Sequence, residues 1–302
     1  MANDADVLVV GEALIDEVHA IDDSVERLVG GSPANVAGGL SRLGARAQLL
    51  TCIADDADGA VIRASLAATG VIVAAESETA RRTPVARVTM TKAGQPEYRF
   101  DVEWRIPASF TLAQSVRHVH VGSYAAFMEP GAERVLALAQ SARSRGVTVS
   151  FDPNIRSTLT RDPADTRERF ERLCHSCRLV KLSDEDQEWL YPGSSTSEII
   201  DRVLQLGPEC VVITMGAHGS VMANAMTSAH ISSERAEVID TVGAGDSFMA
   251  ALIDSSLTID LGSADSSALH AVGEFCARAA AITVSRRGAD LPTRDDIAAL
   301  AD

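Results

Sequence analysis

The chain has 302 residues, of which 46% are hydrophobic and only 4% aromatic, so one large core would be built mainly from aliphatic side chains. Its 42 acidic residues outnumber its 27 basic residues and give a formal net charge of −15, which argues against binding to nucleic acid or to an anionic membrane surface. The five cysteines are scattered and odd in number, and no apolar run approaches the ~18 residues of a membrane helix, so we expect a cytoplasmic protein.

Apolar runs alternate with helical patterns along most of the chain. The first run, 7–10, ends at a glycine, and the helical pattern of 33–43 follows, with Ser32 in the N-cap position. The later predicted elements are strands at 47–53, 118–121, 147–151, 179–182 and 211–214, and helices at 58–68, 133–145, 164–174, 198–206, 247–257 and 268–284. Strands joined by crossover helices predict an α/β fold, with a mainly parallel central sheet covered by helices on both faces.

One stretch, from residue 84 to residue 106, departs from this rhythm. Runs of period two at 85–90 and 97–102 flank the glycine turn 92–94, which predicts a β-hairpin. Residues 14–28 are expected to add further strands beside it. The sequence therefore predicts a single domain over 1–302, with a small β lid built from about 14–28 and 84–106.

The most informative motif is Asp240-Thr-Val-Gly-Ala-Gly-Asp246, which leads into the helix predicted at 247–257. Gly243, Ala244 and Gly245 have almost no side chains, so their amides can approach a ligand, and the first amides of a helix attract anions. A carboxylate at Asp246 would repel an anion that merely bound there. It suits a site where a hydroxyl group loses a proton while a phosphoryl group arrives. A simple helix cap after a glycine turn is the alternative, and the motif alone leaves both open.

Other polar and glycine turns follow predicted strands, at the sheet edge where parallel α/β proteins bind ligands. Their residues are Asp16; Gly30, Gly31 and Asn35; Asp152, Asn154 and Arg156; and the glycine turn that runs from Thr214 through Gly216 to Gly219. The last of these suits backbone contact with a nucleotide. The sequence contains no P-loop motif, and no GxGxxG follows the first strand, so a Rossmann dinucleotide site is unsupported.

With these motifs in place, the chain resembles the ribokinase-like carbohydrate kinases of the PfkB family. Residues 30–44 look like the N-terminal signature of that family, and residues 240–248 look like its C-terminal signature. Together with the turn at 214–219 and the hairpin, the resemblance covers essentially the whole chain. It implies a ribokinase-like fold and transfer of the γ-phosphate of ATP to a sugar hydroxyl group, with Mg²⁺.

The resemblance also implies a role for each candidate residue. Asp246 would be the catalytic base, Gly243, Ala244 and Gly245 would form the anion hole, and Arg156 would face the phosphates. The residues implied to hold the sugar are Asp16, Gly30, Gly31, Asn35, Tyr98, Arg99, Asp152 and Asn154. Those implied to line the nucleotide site are Ser183, Thr214, Gly216, Gly219 and Gly245. Those implied to bind metals are Asp186, which would hold Mg²⁺ through water, and Asp240, Val242 and Gly288, beside a monovalent cation such as K⁺.

One departure from the family pattern concerns the magnesium site. Ribokinase has Asn-x-x-Glu near the phosphates, whereas this chain places Ser183 and Asp186 at those positions. Asp is shorter than Glu, so an additional water would be needed between Asp186 and the metal.

The choice of sugar is less constrained than the chemistry. The segments 11–16, 30–35, 151–156 and 181–186 look most like bacterial fructokinases, which implies transfer to the 6-hydroxyl group of fructose. A 2-keto-3-deoxygluconate kinase remains an alternative because Arg99 or Arg105 would suit a substrate carboxylate, and so does a ribokinase or nucleoside kinase. A non-catalytic sugar-binding protein on the same fold is a further alternative. The exposed edge of the predicted lid suggests a homodimer formed through it.

Overall fold

A computed structural model describes residues 5–19, 24–90, 96–160 and 162–300. The strands in this part of the chain are β1 (Val7–Val10), β2 (Leu14–His19), β3 (Val25–Gly30), β4 (Ala47–Leu50), β5 (Ile72–Val73), β6 (Val85–Met90), β7 (Pro96–Asp101), β8 (His118–Gly122), β9 (Thr148–Asp152), β10 (Leu179–Ser183), β11 (Cys210–Thr214), β12 (Ser220–Asn224) and β13 (Ser228–Ile231). The helices are α1 (Ser32–Arg42), α2 (Ala57–Ala68), α3 (Gly131–Ser144), α4 (Pro163–Cys174), α5 (Asp184–Leu190), α6 (Thr196–Gln205), α7 (Ala244–Ser256), α8 (Ser266–Val284) and α9 (Arg294–Ala299).

The central sheet has the strand order β13-β12-β11-β10-β9-β8-β1-β4-β5. From β11 to β5 neighbouring strands run parallel, while β12 and β13 extend the edge in antiparallel fashion. The carboxyl ends of β1, β8, β9, β10 and β11 therefore lie along one edge of the sheet, where the predicted site residues were expected to meet.

Two apolar cores cover the two faces of this sheet. Along β1, Leu8 and Val10 belong to the core beneath α3, α4 and α6, whereas Val7 and Val9 belong to the core beneath α1, α2, α7 and α8. All four side chains are fully buried, because a strand alternates its side chains between the faces and helices cover both. The predicted fold class is confirmed on this point.

A second, four-stranded sheet has the order β3-β2-β6-β7. Strand β2 pairs antiparallel with β3 and parallel with β6, and β6 pairs antiparallel with β7. Both predicted lid segments thus contribute strands to one small sheet beside the central one, which also confirms the fold class. The predicted hairpin turn 92–94 lies outside the described residues.

Several local predictions were wrong. Ser32 was expected to cap α1, but the N-cap is Gly31 and Ser32 is the first helical residue. The hydroxyl group of Ser32 donates a hydrogen bond to Asp246 instead of to the start of the helix. Strands β5, β12 and β13 and helices α5 and α9 were not predicted. None of the described helices is both long enough and apolar enough to span a membrane.

Candidate active site

The N-terminus of α7 is formed by the glycine-rich motif. Gly243 is the N-cap and has the left-handed φ of 81°. A Cβ atom at this position would lie 2.8 Å from Cβ of Ala289, so the turn requires glycine for both conformation and space. Ala244 N donates a hydrogen bond of 3.3 Å to the Thr241 oxygen, whereas the amides of Gly245 and Asp246 have no carbonyl partner among the described residues, and the helix dipole makes this end positive. The local geometry is therefore that of an anion site.

Asp240, which precedes this turn, is fixed by the backbone on both sides. Its carboxylate accepts hydrogen bonds from Val242 N at 3.0 Å and from Gly288 N at 2.9 Å. These bonds, that of Val242 foremost, lower the pKa of Asp240 and keep it ionised. The three residues predicted to surround a monovalent cation thus lie together in one loop cluster.

Asp246 lies in the first turn of α7 and is only 7% exposed. Its Oδ1 accepts a hydrogen bond of 2.6 Å from the hydroxyl group of Ser32, and its Oδ2 accepts one of 2.8 Å from Nδ2 of Asn35. Both donors come from the first turn of α1, more than 200 residues away in sequence. The two signature motifs therefore meet at the carboxylate, and the two bonds fix its orientation.

Gly30 and Gly31 bring the chain close to the start of the second sheet. Gly31 has φ of 108°, and a Cβ atom there would lie 2.6 Å from the backbone oxygen of Glu12. A Cβ atom at Gly30 would lie 1.9 Å from Oδ2 of Asp16. Burial raises the pKa of Asp16 to about 6, while the charge of Arg156 opposes the rise. Asp16, Gly30 and Gly31 therefore lie close together at the end of β3.

Glu12, two residues after the end of β1, has a buried carboxyl group and was not predicted as a site residue. The residue is 3% exposed, and its Oε2 has no hydrogen-bond partner among the described residues. Burial raises the pKa of Glu12 to about 7, with the charges of Arg156 and Asp246 acting in opposite directions. The residue stands in the Gly11–Asp16 motif, but nothing in its sequence context distinguishes a buried glutamate from an exposed one.

Asp152 and Lys181, on the neighbouring strands β9 and β10, form a buried ion pair. The distance between Nζ of Lys181 and Oδ2 of Asp152 is 2.8 Å, and the side chains are 4% and 3% exposed. Burial raises the pKa of Asp152 to about 6, although the lysine charge opposes the rise. The other oxygen of Asp152, Oδ1, has no partner among the described residues. Asp152 was a predicted site residue, whereas Lys181 was not.

Two further predicted residues follow β9. Asn154 has the positive φ of 36° and is half-buried, and Arg156 is exposed. The charge of Arg156 nevertheless opposes the rise in the pKa of both Glu12 and Asp16, so the guanidinium group lies near these two carboxyl groups.

Ser183 and Asp186 form the N-terminal capping box of α5. Asp186 Oδ2 accepts hydrogen bonds from N and Oγ of Ser183, at 2.9 and 2.7 Å, and its Oδ1 accepts one of 2.7 Å from Ile155 N. Asp186 is 4% exposed. Because the chain itself occupies both carboxylate oxygens, this donor set suits contact with a metal through water better than direct ligation.

The glycine turn after β11 lies next along the sheet edge. Thr214 is half-buried, Gly216 and Gly219 have φ of 51° and 84°, and Met215 N donates to the Gly219 oxygen at 2.8 Å.

Two predicted site residues lie on β7 of the four-stranded sheet. Arg99 is exposed, and its backbone is paired with that of Arg87 on β6. Tyr98 is a backbone partner of Val88 in the same ladder, and its side chain lies outside the described part of the chain.

Three features with chemical potential lie at one edge of the sheet. They are the fixed carboxylate of Asp246, the helix N-terminus that begins at Gly243, and the carboxyl and amide groups that surround them. A carboxylate beside an anion site can accept a proton while negative charge moves toward the helix. Arg99 is a site candidate for which the described residues provide no contact with this group.

A family model described as "pfkB family carbohydrate kinase" matches residues 4–296. Among curated proteins, the fructokinase of Salmonella typhimurium is 30% identical over an alignment of 304 positions, which spans 97% of this chain and 98% of that protein.

Solved structures of similar fold include a fructokinase of Xylella fastidiosa with bound ATP, at a TM-score of 0.84 and 22% identity over 97% of both chains. A double mutant of the fructokinase of Vibrio cholerae O395, with fructose, ADP and potassium ion bound, has a TM-score of 0.83 and 23% identity over 98% of both chains. At these identities the structures establish the fold.

Proposed function

The chain belongs to the pfkB family of carbohydrate kinases, and we propose that it transfers the γ-phosphate of ATP to the 6-hydroxyl group of fructose. The observation that carries the proposal is the carboxylate of Asp246, held by Ser32 and Asn35 at the N-terminus of α7. The sugar is chosen because a relative named fructokinase is 30% identical along nearly the whole chain.

In this proposal Asp246 is the catalytic base. Its two oxygens are oriented by hydrogen bonds from α1, so the carboxylate can meet the hydroxyl group of a bound sugar without reorganising. The proton of the 6-hydroxyl passes to the carboxylate as the oxygen attacks phosphorus and the bond to the ADP oxygen breaks. Positioned general bases of this kind contribute about 10²- to 10⁴-fold to rates.

The anion hole in the proposal consists of the backbone at Gly243, Ala244 and Gly245. Phosphoryl transfer depends mainly on positioning and on stabilising charge over the phosphoryl oxygens, which helix N-terminal amides supply. Arg156, near the same sheet edge, would face the phosphates. Magnesium, when bound, would neutralise charge on the phosphates, and Asp186 would hold it through water because its own oxygens are already hydrogen-bonded.

The remaining candidates divide between the two substrates. The residues proposed to contact the sugar are Asp16, Gly30, Gly31, Asn35, Tyr98, Arg99, Asp152 and Asn154. Those proposed to contact the nucleotide are Ser183, Thr214, Gly216, Gly219 and Gly245. We further propose a K⁺ site at Asp240, Val242 and Gly288, and a single kinase domain over the whole chain. The small β-sheet is proposed to close over the sugar and to form the contact of a homodimer.

The test is an assay of the purified chain with ATP and Mg²⁺ against fructose, 2-keto-3-deoxygluconate, ribose and a nucleoside. The proposal expects ADP release to depend on fructose and the product to carry phosphate at the 6-position, as assigned by ³¹P–¹H NMR. Phosphorylation of ketodeoxygluconate without fructose would overturn the choice of sugar. Sugar binding by calorimetry without turnover of any substrate would favour a non-catalytic binding protein instead.

A further inference from the structure

Lys181 has no role in the mechanism proposed above, yet its ammonium group is fully buried beside the site. Burial lowers the pKa of Lys181, but the carboxylates of Asp152, Asp186 and Asp246 outweigh burial, so its pKa is raised overall and the group stays charged. A buried charge is costly unless it is well paired. Asp152, at 2.8 Å, is the close partner among the described residues.

The position of this charge relative to α7 is the second observation. A Cβ atom built on Gly245 would lie 3.7 Å from Nζ of Lys181. The ammonium group therefore lies beside Gly245, the second residue of α7 and part of the anion turn. A unit charge at such a distance, shielded from water, acts far more strongly than it would at the surface.

The polar side chains near this ion pair on β8 and β9 supply no other positive charge. His118 and His120 of β8 both hydrogen-bond Oγ of Ser150 on β9, at 2.7 and 2.9 Å. Burial lowers the pKa of each histidine to about 3, and for His120 the charge of Lys181 adds to the effect. Both imidazoles are thus neutral near pH 7, and Lys181 carries the positive charge in this group.

We propose that Lys181 is a positioning residue for phosphoryl transfer, acting through the first turn of α7. Its ammonium group is fixed by the Asp152 carboxylate, and its charge beside Gly245 stabilises the negative charge that gathers on the transferring phosphoryl group. The inference rests on the proposed kinase function. It does not depend on which sugar is the acceptor.

The test replaces Lys181 with methionine, which has a similar length and no charge. K181M should retain a KM for the sugar within about threefold of the wild type, while kcat falls about 100-fold, a loss comparable to removal of an anion-hole donor. Val203→Ala, a fully buried residue of α6, is the control for a loss of stability alone. It should lower Tm and leave kcat within about twofold. A folded K181M with unchanged kcat would overturn the inference.

A double-variant cycle covers the case in which K181M leaves an unpaired acid that prevents folding. D152N and D152N/K181M are compared, because both lack the buried carboxylate charge. If Lys181 supplies charge to the transition state, kcat of the double variant falls at least tenfold below that of D152N. Equal kcat values would mean that Lys181 only neutralises Asp152, and the inference would be wrong.

The wild-type protein is assayed first with the panel of sugars, so that a failure of the proposed function can be distinguished from a failure of this inference. Turnover of another sugar would refute fructose as the acceptor, and the same variants would then be measured with the sugar that reacts. Absence of transfer to any sugar would refute the kinase function and this inference with it.

Discussion

Replacing Glu12 with glutamine should stabilise the protein relative to the wild type, and this gain in stability should be larger at pH 8 than at pH 5. Burial raises the pKa of this carboxyl group from 4.5 to about 7 in the folded protein. Below pH 4.5 the group is protonated in both the folded and the unfolded chain. As the pH rises toward 7 the unfolded chain loses its proton first, so the stability gained from burying a neutral group is lost by about pH 7.

The size of the effect follows from the difference between the two pKa values. It corresponds to roughly 3 kcal/mol of the free energy of unfolding, undiminished by solvent because the group is buried. For a chain of this length that is about 5 °C in Tm. E12Q cannot ionise, and part of the effect is already lost at pH 5, so the difference in Tm between E12Q and the wild type should grow by about 4 °C from pH 5 to pH 8.

Thermal unfolding followed by circular dichroism over this pH range measures the effect. Asp16 and Asp152, whose pKa values are raised to about 6, also lower stability as the pH rises, but they do so equally in both proteins. Glu237→Gln, at an exposed position, is the matched control and should track the wild type. Parallel Tm curves for E12Q and the wild type would refute the reasoning.

Two further substitutions test the contacts between α1 and the site. Ser32→Ala removes one of the two hydrogen bonds to Asp246, so it should lower the free energy of unfolding by about 1.5–3 kcal/mol and should also lower kcat. Denaturant unfolding and steady-state kinetics measure the two effects. Values that both match the wild type would contradict the expectation. Gly31→Ala would place Cβ 2.6 Å from the Glu12 oxygen and should raise the KM for the sugar at least tenfold, as measured by steady-state kinetics. Gly44→Ala, also at positive φ but with nothing within 4 Å of the added atom, isolates the conformational cost and should leave KM unchanged.

The sequence predicted the regular elements well because their signals are local. The run at β1 is apolar on both faces of a buried strand, and the helical pattern before Gly44 ends within two residues of α1. The hairpin of β12 and β13 was missed because its turn contains neither glycine nor proline. Instead, the side chain of Asn224 accepts hydrogen bonds from Met226 N and Thr227 N, which closes the turn.

The candidate site was predictable as a set of motifs, but the contacts between the motifs were not. Ser32 has a suitable residue type for an N-cap, and only the folded chain brings its hydroxyl group to Asp246, 214 residues later. Glu12 and Lys181 were overlooked for a related reason. Their importance comes from burial and from neighbours on other strands, and an isolated charged residue in a sequence carries no such signal.

Phosphoryl transfer in the proposed mechanism depends most directly on Asp246 as the acceptor of the sugar proton. Asp246→Asn keeps the size of the side chain and removes its basicity, so the Kd for the sugar, measured by calorimetry, should stay within a few fold of the wild type. In the same preparation kcat should fall by about 10³-fold or more. A variant that binds the sugar normally and turns over within tenfold of the wild type would contradict the proposed mechanism.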